Sequence, residues 1–132
     1  MSASLAFLLV IILGMVSLVV LMQVAVARRV RAMQGKAVPV LPGGTGGRIQ
    51  RLDRALVYFF SPSCGACRAI TPRVRELEAK NEAVFAVDVM TDMELARALG
   101  VMATPSTVEI EGGKVVGYHV GAIPPAVFAR FA

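Results

Sequence analysis

A chain of 132 residues accommodates one small domain and an appendage. Its hydrophobic fraction of 56% and mean hydropathy of +0.67 are too high for an ordinary soluble domain, so an apolar segment must stand apart from the core. The net charge of +5 is equally local: residues 28–53 hold Arg28, Arg29, Arg31, Lys36, Arg48 and Arg51 against Asp53 alone, while residues 54–132 hold eight Lys/Arg and eight Asp/Glu. No aromatic or recognition-helix pattern accompanies the basic strip, which argues against nucleic acid as the partner.

From Leu5 to Ala27 the chain runs 23 residues without a charge, with only Ser17 and Gln23 clearly polar. At about 1.5 Å per helical residue this crosses a hydrocarbon layer of roughly 30 Å, and a buried helix of a soluble protein would show a polar face over such a length. Ala25-Val26-Ala27 has the small-x-small form of a signal cleavage site. However, the apolar run exceeds a typical signal core and Met1–Ser4 carries no Lys or Arg, so the segment reads as an uncleaved single-pass anchor. The Arg-rich flank behind it meets anionic lipid head groups, and by the positive-inside rule it places the C-terminal domain on the cytoplasmic side.

Val38–Gly47 contains four glycines and two prolines in ten residues and reads as a linker. Its Gly-Gly-Thr-Gly-Gly stretch lacks the Gly-Lys-Ser/Thr ending of a phosphate-binding loop. The expected organisation is therefore an anchor over 1–27, a basic juxtamembrane strip and linker over 28–53, and a folded domain over 54–132.

Within that domain, Ala55–Phe60 is apolar, aromatic and β-branched and reads as a buried strand. A helix follows from about Gly65 to Lys80, with Cys67, Ile70, Val74 and Leu77 on one face. Val84–Val89 reads as a second buried strand. A helix capped by Thr91 or Asp92 then runs through Leu99 and stops at Gly100. Thr107–Glu111 and Val115–Val120 form a hairpin about Gly112-Gly113, and Pro124–Phe131 a last short helix. The order β-α-β-α-β-β-α implies an α/β fold, with a mixed four-stranded sheet flanked by helices.

The chemistry lies in Ser-Pro-Ser-Cys-Gly-Ala-Cys-Arg, residues 61–68. A thiol at the start of a helix meets unpaired backbone N–H groups and the positive end of the helix dipole, both of which favour thiolate at Cys64. Cys67 lies one turn on, on the core side, close enough to close a disulfide. On that geometry Cys64 attacks a substrate disulfide and Cys67 resolves the mixed disulfide. Structural zinc normally needs four ligands and only His119 remains as a nitrogen donor. Two thiolates with help from His119 could hold Cu(I), although His119 on its strand reads as a surface residue.

Taken together, residues 55–122 resemble the thioredoxin superfamily. The resemblance rests on the strand entering Cys64-Gly65-Ala66-Cys67, on basic Arg68, on Pro72 five residues after the second cysteine, on the Gly100–Ser106 loop containing Thr104-Pro105, and on Val120-Gly121-Ala122. It implies a redox-active Cys64–Cys67 disulfide, a cis-proline at Pro105 beside it, and a substrate groove formed by Gly65, Ala66, Thr104, Pro105 and Gly121. It also implies a thiol–disulfide oxidoreductase that needs no cofactor and works on protein disulfides or dithiols with an upstream redox partner. A docking adaptor on the same fold is the non-catalytic alternative. Membrane-anchored members of this superfamily usually face the periplasm, against the charge pattern. The chain departs from the family in lacking its first strand and helix and in having Ser63 for the usual Trp. It also has Gly-Ala for Gly-Pro, and Tyr58 where an Asp is usually buried.

Overall fold

In chain order the elements are α1 (Ala3–Met33), α2 (Gly43–Gln50), β1 (Arg54–Phe60), α3 (Cys67–Lys80), β2 (Val84–Asp88), α4 (Met93–Ala98), β3 (Ser106–Glu111), β4 (Lys114–Val120) and α5 (Pro125–Phe131). The structure is a computed structural model and describes residues 2–132. It divides after Ala32 into an N-terminal unit and a second unit, Met33–Ala132.

The N-terminal unit is a single helix. Side chains from Ala3 to Arg29 are all exposed, and α1 is long and apolar enough to cross a membrane by length and composition. The helix continues past the apolar run through Arg28, Arg29 and Arg31 to Met33.

In the second unit the apolar run of β1 cannot alternate between core and solvent, so it needs cover on both faces. Its six residues after Arg54 are all buried. The sheet order is β2-β1-β3-β4, with β1–β2 parallel and the other pairs antiparallel. On one face Leu56, Tyr58 and Phe60 pack with Cys67, Val74 and Leu77 of α3 and with Val127 and Phe131 of α5. On the other face lie Val57 and its register partner Phe85, over whose ring the Arg48 guanidinium of α2 sits at 5.2 Å. Asp92 caps α4 by accepting the Leu95 N–H. Gly112 and Gly113, with φ of +57° and +73°, supply the hairpin turn between β3 and β4.

The region expected to be a linker is folded. Lys36 and Val38 hydrogen-bond across to the edge of β4, with Val115 N–H donating to Lys36 O at 2.9 Å and Val38 N–H to Gly113 O at 2.8 Å. Leu41 and Ile49 are buried, and residues 43–50 form α2 despite their glycines, so a helix precedes β1 where none was expected. The physical reason is a close approach: a Cβ at Gly46 would sit 2.7–2.9 Å from Leu41 side-chain and backbone atoms. Glycine here permits contact, where the composition suggested only flexibility.

His119 also differs from its expected place on the surface. Its side chain is three-quarters covered, and its Nε2 lies 2.8 Å from Oε2 of Glu109. Glu109, buried on β3, takes Arg130 of α5 on its other oxygen. Burial pushes the Glu109 carboxyl up, but the hydrogen bonds and charges of His119 and Arg130 outweigh it and hold the group below its ordinary range. The sequence pattern of a half-buried strand could not reveal this pairing, because Arg130 comes from a separate helix.

Candidate active site

Beyond Phe60 the chain leaves the sheet and makes two successive turns before α3. Cys64 N–H donates to Ser61 O at 3.0 Å, and the Ser61 and Ser63 hydroxyls lie 3.0 Å apart. Helix α3 then begins at Cys67, two residues later than expected, with no side-chain cap at Ala66. The first N–H groups of a helix have no partner within it. That of Cys67 instead meets the sulfur of Cys64 at 3.3 Å.

Cys64 and Cys67 form a disulfide with their Cα atoms 5.3 Å apart. Cys67 is 2% exposed and packs in the core, whereas Cys64 is half-buried and Gly65 and Ala66 beside it are exposed. An incoming group therefore meets Cys64 first. The two cysteines line an open cavity with Phe60, Ser61, Pro62, Arg68, Thr71, Pro72 and Arg75.

The Thr104–Pro105 peptide bond is cis. The register of β1 with β3 pairs Phe59 with Ser106, which brings Ser61 and Thr104 to the same end of the sheet. Ser61 and Thr104 accordingly line one cavity together. Gly121, with φ of +91°, donates its N–H to Pro105 O at 2.9 Å. The fold thus joins Gly121 to the cis-proline loop, and places Thr104 and the Cys64 turn at one edge.

Tyr58 is fully buried, and its hydroxyl lies 2.9 Å from Thr71 Oγ1. Burial raises its phenol above the usual value, with the Thr71 hydrogen bond opposing in part. Tyr58 is consequently neutral in the physiological range. Thr71, one turn after Cys67, was not singled out from sequence; its i, i+4 spacing from Cys67 is the signal that points to it. Arg75 was missed as well, although it stands two turns from Arg68 on the same face. Among the described residues, no cluster of three or more His, Cys, Asp and Glu gathers at one place, and the His119 nitrogen facing Glu109 is already engaged.

The Thioredoxin family profile matches residues 48–132. Thioredoxin 2 of Chlorobaculum tepidum is 34% identical over 102 residues, covering 74% of this chain and 94% of that protein. The thioredoxin of Haemophilus influenzae is 32% identical over 79 residues, covering 58% of this chain and 74% of that one. Among solved structures, reduced Schistosoma mansoni thioredoxin superposes with a TM-score of 0.57 at 31% identity, over 70% of this chain and 91% of its own. A CxxC disulfide at the mouth of this sheet, in a chain with these relatives, has one reading: the protein belongs to the thioredoxin family of thiol–disulfide oxidoreductases.

Proposed function

We propose that the protein is a membrane-tethered thioredoxin that exchanges disulfides with protein partners through Cys64 and Cys67. The observation that carries this reading is the asymmetry of the pair. Cys64 is half-buried with a backbone N–H aimed at its sulfur, while Cys67 is enclosed behind it. In the reduced state, the Cys64 thiolate attacks one sulfur of a partner disulfide, and the partner's other sulfur leaves as a thiolate and takes up a proton. The Cys67 sulfur, on losing its proton, then attacks Cys64. That step closes the Cys64–Cys67 bond and releases the partner's second thiol, so two electrons pass to the partner. An upstream dithiol restores the reduced pair.

Gly65, Ala66, Thr104, Pro105 and Gly121 form the proposed substrate groove. Gly65 and Ala66 leave the approach to Cys64 open, and the Thr104 backbone offers pairing to an extended segment of the partner. Tyr58 remains un-ionised and so does not serve as the base that takes the Cys67 proton. Tethering is supported by the uninterrupted apolar length of α1 and by Arg28, Arg29 and Arg31 behind it, which suit a bilayer interface. The same arginines favour a cytoplasmic domain over a periplasmic one. In cytoplasmic surroundings the dithiol form dominates and the protein acts as a reductant.

The test is a trap in intact cells. Cys67→Ala is expected to accumulate mixed disulfides through Cys64 that Cys64→Ala does not form; equal and empty traps would end the catalytic reading. An impermeant thiol reagent is expected to label Cys64 only after the membrane is opened, and labelling from outside would place the domain in the periplasm.

A further inference from the structure

Residues 54–132 are neutral in total, yet their charges are segregated along the chain. Residues 54–75 carry Arg54, Arg68, Arg73 and Arg75 and no carboxylate, whereas all eight carboxylates lie from Glu76 onward. The cysteine pair sits inside the positive segment. Arg54 and Arg73 are turned toward the C-terminal helix, over the rings of Phe131 and Phe128 at 5.0 and 4.8 Å.

Arg68 and Arg75 have a different setting. Both line the cavity that contains Cys64 and Cys67. Seven residues apart on α3, they share one helix face. The Arg75 guanidinium lies 5.2 Å from the centre of the Phe60 ring, which holds it against the cavity wall. Both side chains are exposed, and among the described residues neither makes an ion pair. The carboxylates next along α3 are committed elsewhere: Glu76 pairs with Lys80 at 3.0 Å, and Glu78 accepts the Ala86 N–H at 3.1 Å. The redox centre therefore opens onto two guanidinium forks whose donors are not spent within the protein. Such forks match carboxylates in charge and geometry, and the Pro62, Phe60 and Pro72 walls suit the apolar stem of a peptide.

We propose that this cavity receives an acidic segment of the partner, with Asp or Glu beside the partner's redox cysteine pairing with Arg68 and Arg75. The proposal rests on the thiol–disulfide reading of the same site and adds the substrate class. It makes Arg68 and Arg75 specificity determinants that act on recognition, while the sulfur chemistry belongs to the cysteines.

The experiment uses the reduced full chain in phosphatidylcholine nanodiscs and three disulfide-linked peptides that differ only in two residues flanking the cysteine: Glu, Gln or Lys. At low salt the Glu peptide is expected to react about five-fold faster than the Gln peptide, the size two exposed ion pairs supply, and the Lys peptide slower than both. In about 1 M salt, where the screening length is about 3 Å, the ratio is expected to approach one. The double variant Arg68→Gln with Arg75→Gln is expected to lose the preference, and Arg73→Gln to keep it. Equal rates for all three peptides, or a preference that the double variant retains, would overturn the proposal. So would a preference that Arg73→Gln erases equally, since it would then come from general charge and not from this cavity. A preference that disappears when phosphatidylserine is added to the nanodiscs assigns the arginines to lipid and also overturns it. A chain that reduces none of the peptides fails as an oxidoreductase, whereas equal reduction of all three fails only the substrate class.

Discussion

The backbone N–H of Cys67 points at the sulfur of Cys64 from 3.3 Å, so the first free donor of helix α3 is directed at the outer cysteine of the pair. A donor in this place favours negative charge on that sulfur once the disulfide is reduced. The inner cysteine has no equivalent exposure, being 2% accessible. Reduced protein is thus expected to be alkylated at Cys64 about ten-fold or more faster than at Cys67 at neutral pH. Peptide mapping after a brief pulse of iodoacetamide measures the ratio, and equal labelling would deny the asymmetry.

Tyr58, buried where the resembled family usually has an Asp, is no proton acceptor near neutral pH. Its phenol is raised above the usual value by burial, against the opposing hydrogen bond from Thr71. Tyr58→Phe is expected to leave the rate of disulfide exchange unchanged between pH 6 and 8. Its cost in stability is about 0.5–1.5 kcal/mol, because the Thr71 hydroxyl retains access to water. A pH–rate profile compared with the thermal midpoint separates the two effects. A collapse of the rate with stability intact would make Tyr58 part of the proton path.

Glu109 ties β3 to α5 through His119 and Arg130. Since its carboxyl is held below the ordinary range in the folded state, its stabilisation is present above the unfolded value and lost as pH falls through the folded one. Glu109→Gln is therefore expected to destabilise the protein by about 1–3 kcal/mol at pH 7, with the deficit shrinking below about pH 4. Thermal midpoints of both proteins across that range test it; a deficit that grows on acidification would reverse the sign of the linkage.

The glycines of α2 make opposite predictions within one turn. Nothing lies within 4 Å of a Cβ built at Gly44, whereas at Gly46 it meets Leu41 atoms at 2.7–2.9 Å. Gly44→Ala is expected to stabilise by about 0.5–1 kcal/mol through helix propensity. Gly46→Ala is expected to cost about 1–3 kcal/mol because the Leu41 backbone must move. Denaturation midpoints of the full chain in neutral detergent decide both. A flexible linker at residues 43–47 would leave either substitution without effect.

These cases mark what the residues disclosed in sequence and what they withheld. The strand before Cys64, the helix after it, the hairpin at Gly112-Gly113 and the cis bond at Pro105 were legible. Each is written locally, in an apolar run, a spacing or a turn signature, or in the resemblance those motifs carry. The folding of Gly43–Gln50 was not legible, because the contacts that hold this region come from parts of the chain still to come: Lys36 and Val38 bond at Val115 and Gly113, and Arg48 lies over Phe85. His119 read as a surface residue because its partner Glu109 lies 10 residues back on the neighbouring strand, and Arg130, which shares that carboxylate, lies 21 residues beyond Glu109 on a separate helix. The cysteine pair itself was plain from the sequence, but its cavity was not. Arg75 and Thr71 acquire meaning only when α3 lies beside Phe60.

The most direct measurement is the reaction of the reduced full chain with a protein disulfide, followed by mass spectrometry under acid quench. The expected result is one disulfide closed between Cys64 and Cys67 for each partner disulfide opened, with Cys67→Ala halting at a mixed disulfide on Cys64. A partner disulfide left intact, or one reduced equally well by Cys64→Ser, would contradict exchange through this pair.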